Sequence, residues 1–226
     1  MTAFHNDHAI KVKYINRLKD HYKADEFIKG MYWQNGKGCA VGCTIHSDNH
    51  LSYETELGIP QVIARLEDAI FERLPNELAK EFPLQFLSAI NVGADLAKVW
   101  NYFAIWLLTD EKYGILQHVD NKKVIQDIAD AYAEDITTPV TVERWKELRD
   151  STASAYSASA YSGADATAAY YSAAYAFADY ATDYATDAAY AYSAAAYAAT
   201  DSGADKNLAW YVAASKKLIE LLTETL

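Results

Sequence analysis

The stretch 165-DATAAYYSAAYAFADYATDYATDAAYAYSAAAYAATD-201 decides whether this chain is helical throughout or a helical body with a disordered tail. It has no Lys, Arg, Pro or Gly. Low complexity of this kind commonly marks disorder. Here the composition argues otherwise, because alanine is the best helix former and tyrosine brings apolar area. Disordered segments are poor in aromatics. Residues 151–205 hold 23 Ala, 10 Tyr and six Asp with no basic residue, so the whole region reads as helix.

The segment also repeats. At an offset of 22, Asp165 matches Asp187, Tyr170 matches Tyr192, Tyr175 matches Tyr197, Asp179 matches Asp201 and Asp183 matches Asp205. Twenty-two is two elevens, and an 11-residue period gives about 3.67 residues per turn, close to a straight helix. On that period Asp165, Asp179, Asp183, Asp187 and Asp201 fall, with Asp205, in one stripe about 65° wide. Tyr170, Phe177, Tyr184 and Tyr192 fall on another side, cushioned by alanines. A single helix over 164–202 would be about 58 Å long. Such a helix packs on another helix or on a copy of itself, which predicts self-association as one outcome. The aspartates keep an exposed face wet. Alternatively, with Asp179, Asp183 and Asp187 about 6 Å apart along the edge, they bind a protein partner with a basic groove. "SGAD" at 162–165 and 202–205 marks possible ends, with Gly203 the stronger break.

Upstream of this region the spacing is also helical. Ile10, Tyr14, Leu18 and Tyr22 recur at i+4, as do Val62, Leu66, Ile70 and Leu74, and Val124, Ile128 and Tyr132. "NGKG" at 35–38 is a turn, Pro60 sits at a helix start, Asp95 is a candidate N-cap, and Thr138 or Thr141 caps the helix of "VERWKELRD". "ITTPVTVE" is the best strand candidate, but Pro139 makes it a connection. The expectation is an all-α protein with a multi-helix body over 1–140. Residues 141–226 then form the Ala/Tyr/Asp-rich long-helix region, ending in an amphipathic helix with Leu208, Val212, Leu218 and Leu222 available for packing.

The other unusual stretch is 33-WQNGKGCAVGCTIHSDNH-50. Cys39, Cys43, His46 and His50 are the residue types that zinc takes. Their C-x3-C-x2-H-x3-H spacing would spread over about 16 Å on one helix, so a zinc site needs the chain to turn between the pairs. A thiol enzyme is a second reading, with Cys39 as nucleophile and His46, His50 or His118 as base. The third reading is packing. Gly38, Cys39, Ala40, Gly42 and Cys43 are small enough for a tightly buried turn or helix, and this reading is preferred.

Composition bounds the function. The chain has 226 residues and a formal net charge of −11. It should repel nucleic-acid phosphate at long range. The basic cluster Lys11, Lys13, Arg17 and Lys19 reads as a solvated helix face. The longest apolar run, "FAIWLL" at 103–108, is far too short to span a bilayer, and no signal-type run opens the chain. Two cysteines and no targeting segment suggest a reducing cytoplasm.

The run "NGKGCAVGCTIH…YETELGIPQVIARLEDAIFE…GADL", followed by the Ala/Tyr/Asp-rich tail, resembles an uncharacterised protein family of phages and bacteria. The likeness implies no catalytic residues. It implies a phage or prophage accessory protein that acts by binding a host component. The sequence thus predicts a non-enzymatic, stoichiometric binding protein without a cofactor. The alternative is a zinc- or thiol-dependent enzyme, or a metal-binding protein, centred on Cys39, Cys43, His46 and His50.

Overall fold

The computed structural model describes residues 1–161 and 204–225, together with Ala174, Phe177, Ala191, Tyr192, Ala194 and Ala195. The chain is all-α, with one short hairpin among the described residues. Asp165, Asp179, Asp183, Asp187 and Asp201, proposed above as a partner-binding edge, lie outside the described residues, as does Gly163. Of the six positions described inside 165–201, Ala174, Phe177, Ala191, Tyr192 and Ala195 are buried. On the 11-residue map those five occupy an arc of about 130° that excludes the aspartate stripe.

The first residues form a turn with left-handed backbone at Phe4, His5 and Asn6 (φ 53°, 50° and 59°). That region is uncommon for residues with a side chain. Tertiary pairing holds it. Ala3 and Phe4 are fully buried, the Ala3 N–H donates to Ala94 O at 2.9 Å, and the Gly93 N–H donates to Ala3 O at 2.9 Å. Helix α1 (His8–Lys23) follows, capped by Asp7, whose Oδ1 accepts from Ala9 N at 2.7 Å. Its buried residues are Tyr14, Leu18 and His21, while Tyr22 is 45% exposed. An i+4 row drifts about 40° per step around a 3.6-residue helix, so the inward stripe passes from Leu18 to His21 at i+3.

The "NGKG" turn closes a hairpin of β1 (Trp33–Gln34) and β2 (Lys37–Gly38), with Trp33 opposite Gly38 and Gln34 opposite Lys37. Asn35 and Gly36 both have positive φ (53° and 82°), as a two-residue turn matching strand twist requires. Helix α2 (Ala40–Ile45) is buried at every residue and stops at His46, whose φ is 57°. A π-helical turn, Tyr53–Leu57, ends at Gly58 with φ 63°. Helix α3 (Gln61–Arg73) begins after Pro60; Leu66, Ile70 and Leu74 of the predicted row are buried, while Val62 at its start is half-buried. Helix α4 (Asn76–Ala89) contains Pro83. Lys11, expected to be solvated, reaches carbonyls at the end of α4, Ser88 O at 2.9 Å and Ile90 O at 2.6 Å. This placement suits a cation at a helix C-terminus.

Helix α5 (Val99–Thr109) starts four residues after Asp95. Asp95 Oδ1 accepts from Ala97 N at 3.0 Å, so this residue shapes the lead-in turn instead of capping the helix. A 3-10 turn at Ile115–His118 leads to α6 (Lys122–Thr137), where Val124, Ile128 and Tyr132 are buried. "ITTPVTVE" is a connection, and Thr141 Oγ1 accepts from Arg144 N at 3.2 Å at the start of α7 (Val142–Tyr161). Helix α8 (Ala204–Glu224) begins next to Gly203, and Leu218 and Leu222 are fully buried, whereas Leu208 is exposed.

The compact units divide elsewhere than at residue 140. One comprises Met1–Val99 with Tyr211–Leu226, the other Trp100–Trp210. The reason is packing. The C-terminal part of α8 returns to the first unit, where Asn91 Nδ2 donates to Thr225 O at 3.0 Å and Arg73 Nη1 donates to Tyr211 OH at 3.3 Å. Helix α7 joins α6 in the second unit, where the Tyr132 and Trp145 rings are 4.9 Å apart.

Candidate functional site

The Gly-Cys-Ala-Val-Gly-Cys stretch is first a packing device. A Cβ on Gly38 would lie 2.0 Å from Tyr32 O, and one on Gly42 would lie 1.4 Å from the same oxygen. Both positions must be glycine for the hairpin to press onto α2. The Cys39 N–H then donates to Met31 O at 2.7 Å, and Thr44 Oγ1 donates to Ala40 O at 2.8 Å inside the helix. The preferred packing reading of this stretch therefore matches its surroundings.

That packing separates the two cysteine–histidine pairs. Cys43 Sγ donates to Gly38 O at 3.3 Å, and burial pushes its thiol up to about 12. His46, just past α2, places Nε2 2.9 Å from His21 Nε2, and His21 Nδ1 lies 2.6 Å from Glu26 Oε2. With the carboxylate accepting from the His21 Nδ1–H, the two Nε2 atoms face each other across one hydrogen bond whose donor is set by the ring tautomers. The Trp33 ring stacks on His46 with centroids 4.3 Å apart and planes 9° apart. Burial, then the neighbouring Arg17 and His21, hold His46 below its usual value, favouring the neutral ring. The result is an indole braced from behind by an imidazole, a second imidazole and a carboxylate.

Trp33 faces an open cleft of about 430 Å³, lined by Met31, Tyr32, Trp33, Gln34, Ser47 and Asp48. That volume lies within the usual range for ligand pockets. Two aromatic rings, an amide, a hydroxyl and a carboxylate converge there.

Cys39 and His50 lie on a different side, against α3. Cys39 Sγ, an Asp68 carboxylate oxygen and a Glu72 carboxylate oxygen all lie within 4.8 Å of one another. Asp68 and Glu72 are i and i+4, so they share a helix face. The Gly30 N–H bridges both Glu72 oxygens at 3.0 and 2.8 Å, and His50 Nε2 is 3.5 Å from Asp68 Oδ2. Burial, followed by the adjacent Asp68 charge, pushes the Cys39 thiol far up. Burial also raises Glu72. One helical position before Asp68, fully buried Glu67 accepts from Tyr53 OH at 2.7 Å and is raised well above the carboxylate range by burial.

Sequence spacing put Cys39, Cys43, His46 and His50 into one ligand set. Their four donor atoms do not gather within 4.8 Å. Helix α2 ends at Ile45 and the left-handed turn at His46 sends the histidines apart. The thiol-enzyme reading also loses its geometry. The ionisable groups beside the Cys39 thiol are carboxylates that keep it protonated, His50 faces Asp68, His46 faces His21, and His118 belongs to the second unit. Sequence reasoning missed Glu26, Asp68, Glu72 and Trp33. One signal was available for α3: Ile63, Glu67, Ile70 and Phe71 are i, i+4, i+7 and i+8, so a carboxylate sits within the apolar stripe.

No helix among the described residues is long and apolar enough to cross a membrane. The chain matches no family model, no curated protein and no solved structure.

Proposed function

We propose that this chain is a non-enzymatic, stoichiometric binding protein whose recognition site is the hairpin cleft, and that it takes a basic segment of a protein partner. The observation that carries this reading is the braced indole. Trp33 is locked against His46 at the wall of an open cleft, with Asp48 also lining that cleft. A rigid aromatic face beside a carboxylate suits an arginine or lysine side chain, which gains cation–π and ion-pair contacts together. The net charge of −11 steers such a partner inward. Under the family resemblance, the partner would be a host component bound by a phage or prophage accessory protein.

The test is fluorescence anisotropy with labelled peptides of matched length, one Arg/Lys-rich and one Asp/Glu-rich. The basic peptide should bind in preference. Trp33→Ala should weaken it about 3–30-fold, the span of a partly to well desolvated cation–π contact. Equal binding of both peptides, or an unchanged affinity in Trp33→Ala and Asp48→Asn, would sink the proposal.

A further inference from the structure

The Cys39–Asp68–Glu72 cluster lies apart from the cleft, none of the three residues lining it. Three groups that each become anionic on losing a proton crowd together, and the Lys29 charge near Glu72 offsets only part of the burial that raises it. Asp68 is only 9% exposed, yet its Oδ1 is buried with no hydrogen-bond partner. Its other oxygen lies 3.5 Å from His50 Nε2, and the Cys39 thiol is a hydrogen-bonding neighbour of the same carboxylate. A buried carboxylate oxygen without a donor is costly. A cation between the three groups would satisfy it and turn mutual repulsion into attraction.

We infer that Cys39, Asp68 and Glu72 form a divalent-metal site of zinc type, with His50 orienting Asp68 from outside the ligand set. The donor chemistry selects the ion class. One sulfur with two carboxylate oxygens is too soft for magnesium or calcium, which take oxygen ligands, and lies within the set that zinc accepts. Donors around tetrahedral zinc stand about 3.5 Å apart, by its bond lengths of about 2.0–2.3 Å. The three donors here, all within 4.8 Å, need only a small inward adjustment. Ligating carboxylates are themselves held by hydrogen-bonding groups outside the ligand set, which is the place His50 takes behind Asp68. The metal–sulfur bond forms as the thiol proton leaves to solvent, with no change of oxidation state. Three protein donors leave a fourth position for water or a ligand atom. The ion would tie the junction between β2 and α2 to α3, under the strand residues that carry the cleft. Tyr32 touches this region as well, its ring 5.4 Å from the His50 ring. This inference does not depend on the cleft reading, and its test uses only the metal.

Metal-free full-length protein is titrated with Co²⁺, and the near-ultraviolet thiolate-to-cobalt charge-transfer band is followed, then Zn²⁺ is added as competitor. The expected result is a 1:1 band that zinc displaces, present in Cys43→Ser and absent in Cys39→Ser. His50→Ala should weaken binding about 10–100-fold, as loss of an outer-shell partner does. Cys39 is buried and its variant could fail to fold, so Glu72→Gln is measured alongside, with helicity checked by circular dichroism. A folded Glu72→Gln that binds at least tenfold more weakly supports the site. No band in the wild-type protein, a band that survives Cys39→Ser, or an unchanged affinity in folded Glu72→Gln would overturn it.

Discussion

Around Trp100 the second unit is built from rings; around Gly42 the first unit is built from close backbone approach and buried polar groups. In the second unit Trp100 stacks on Phe177 with centroids 5.9 Å apart and planes 12° apart. Tyr132 OH donates to Phe177 O at 2.7 Å, and Trp210 Nε1 donates to Tyr113 O at 3.2 Å. Each large ring covers apolar area, and Tyr132 and Trp210 set their polar tips on carbonyls, so residues from distant parts of the sequence are held by contacts that tolerate small shifts. In the first unit, glycine seats a hairpin on a six-residue helix, and carboxylates and imidazoles fill the space around it. These contacts tolerate little displacement. The two units should therefore fail differently under mutation.

The sharpest way to break the comparison is Gly42→Ala. Its Cβ would sit 1.4 Å from a backbone oxygen, which no rotamer change relieves. The cost should reach or exceed about 3 kcal/mol, the upper end for overpacking, and urea unfolding measures it. A loss under about 1 kcal/mol would mean that hairpin and α2 are not seated as described. In the second unit, Tyr132→Phe removes one hydroxyl from an otherwise intact ring cluster. Phe177 O loses that donor, so the expected cost is smaller, about 2 kcal/mol, with the ring stack retained in near-ultraviolet circular dichroism.

Gly36→Ala sharpens the point within the hairpin. Gly36 has φ of 82° and open space where a Cβ would go, so only backbone strain opposes the substitution. About 1 kcal/mol is expected from placing alanine at positive φ. Two glycines six residues apart thus separate a conformational requirement from a steric one, and equal losses at both would contradict that separation.

What could be read in advance follows the same line. The rows Val124–Ile128–Tyr132 and Leu66–Ile70–Leu74 were legible because helical periodicity is local. The Asn35–Gly36 turn and the Thr141 cap were legible because their chemistry sits within four residues. The small residues of 38–43 could be read as tight packing, though not what they pack against, since Tyr32 O reaches them only through the hairpin. The metal-type spacing counts residues along a chain that turns at His46, so it does not say which groups meet. The actual neighbours of Cys39 come from α3, about thirty residues on, and a single sequence offers no signal for that pairing, since the carboxylate in the apolar stripe is Glu67 and not Asp68 or Glu72.

The smallest effect concerns the braced indole. Burial first, then Arg17 and His21, lower His46, while Glu26 and Glu56 oppose the shift. Those four charged or titratable groups and the Trp33 ring define its surroundings. A base whose folded value lies below its unfolded value of about 6.5 binds fewer protons when folded. Its contribution is therefore present above pH 6.5 and is lost as pH falls through the folded value. A proton NMR titration should place His46 below 6.5, and melting temperature should decline slightly more on acidification in the wild type than in His46→Gln. Trp33→Ala uncovers one ring face and should move the His46 midpoint upward. If the midpoint stays fixed in Trp33→Ala, the indole is not held against the imidazole in solution, and the cleft loses the rigid wall that distinguishes it from an ordinary surface groove.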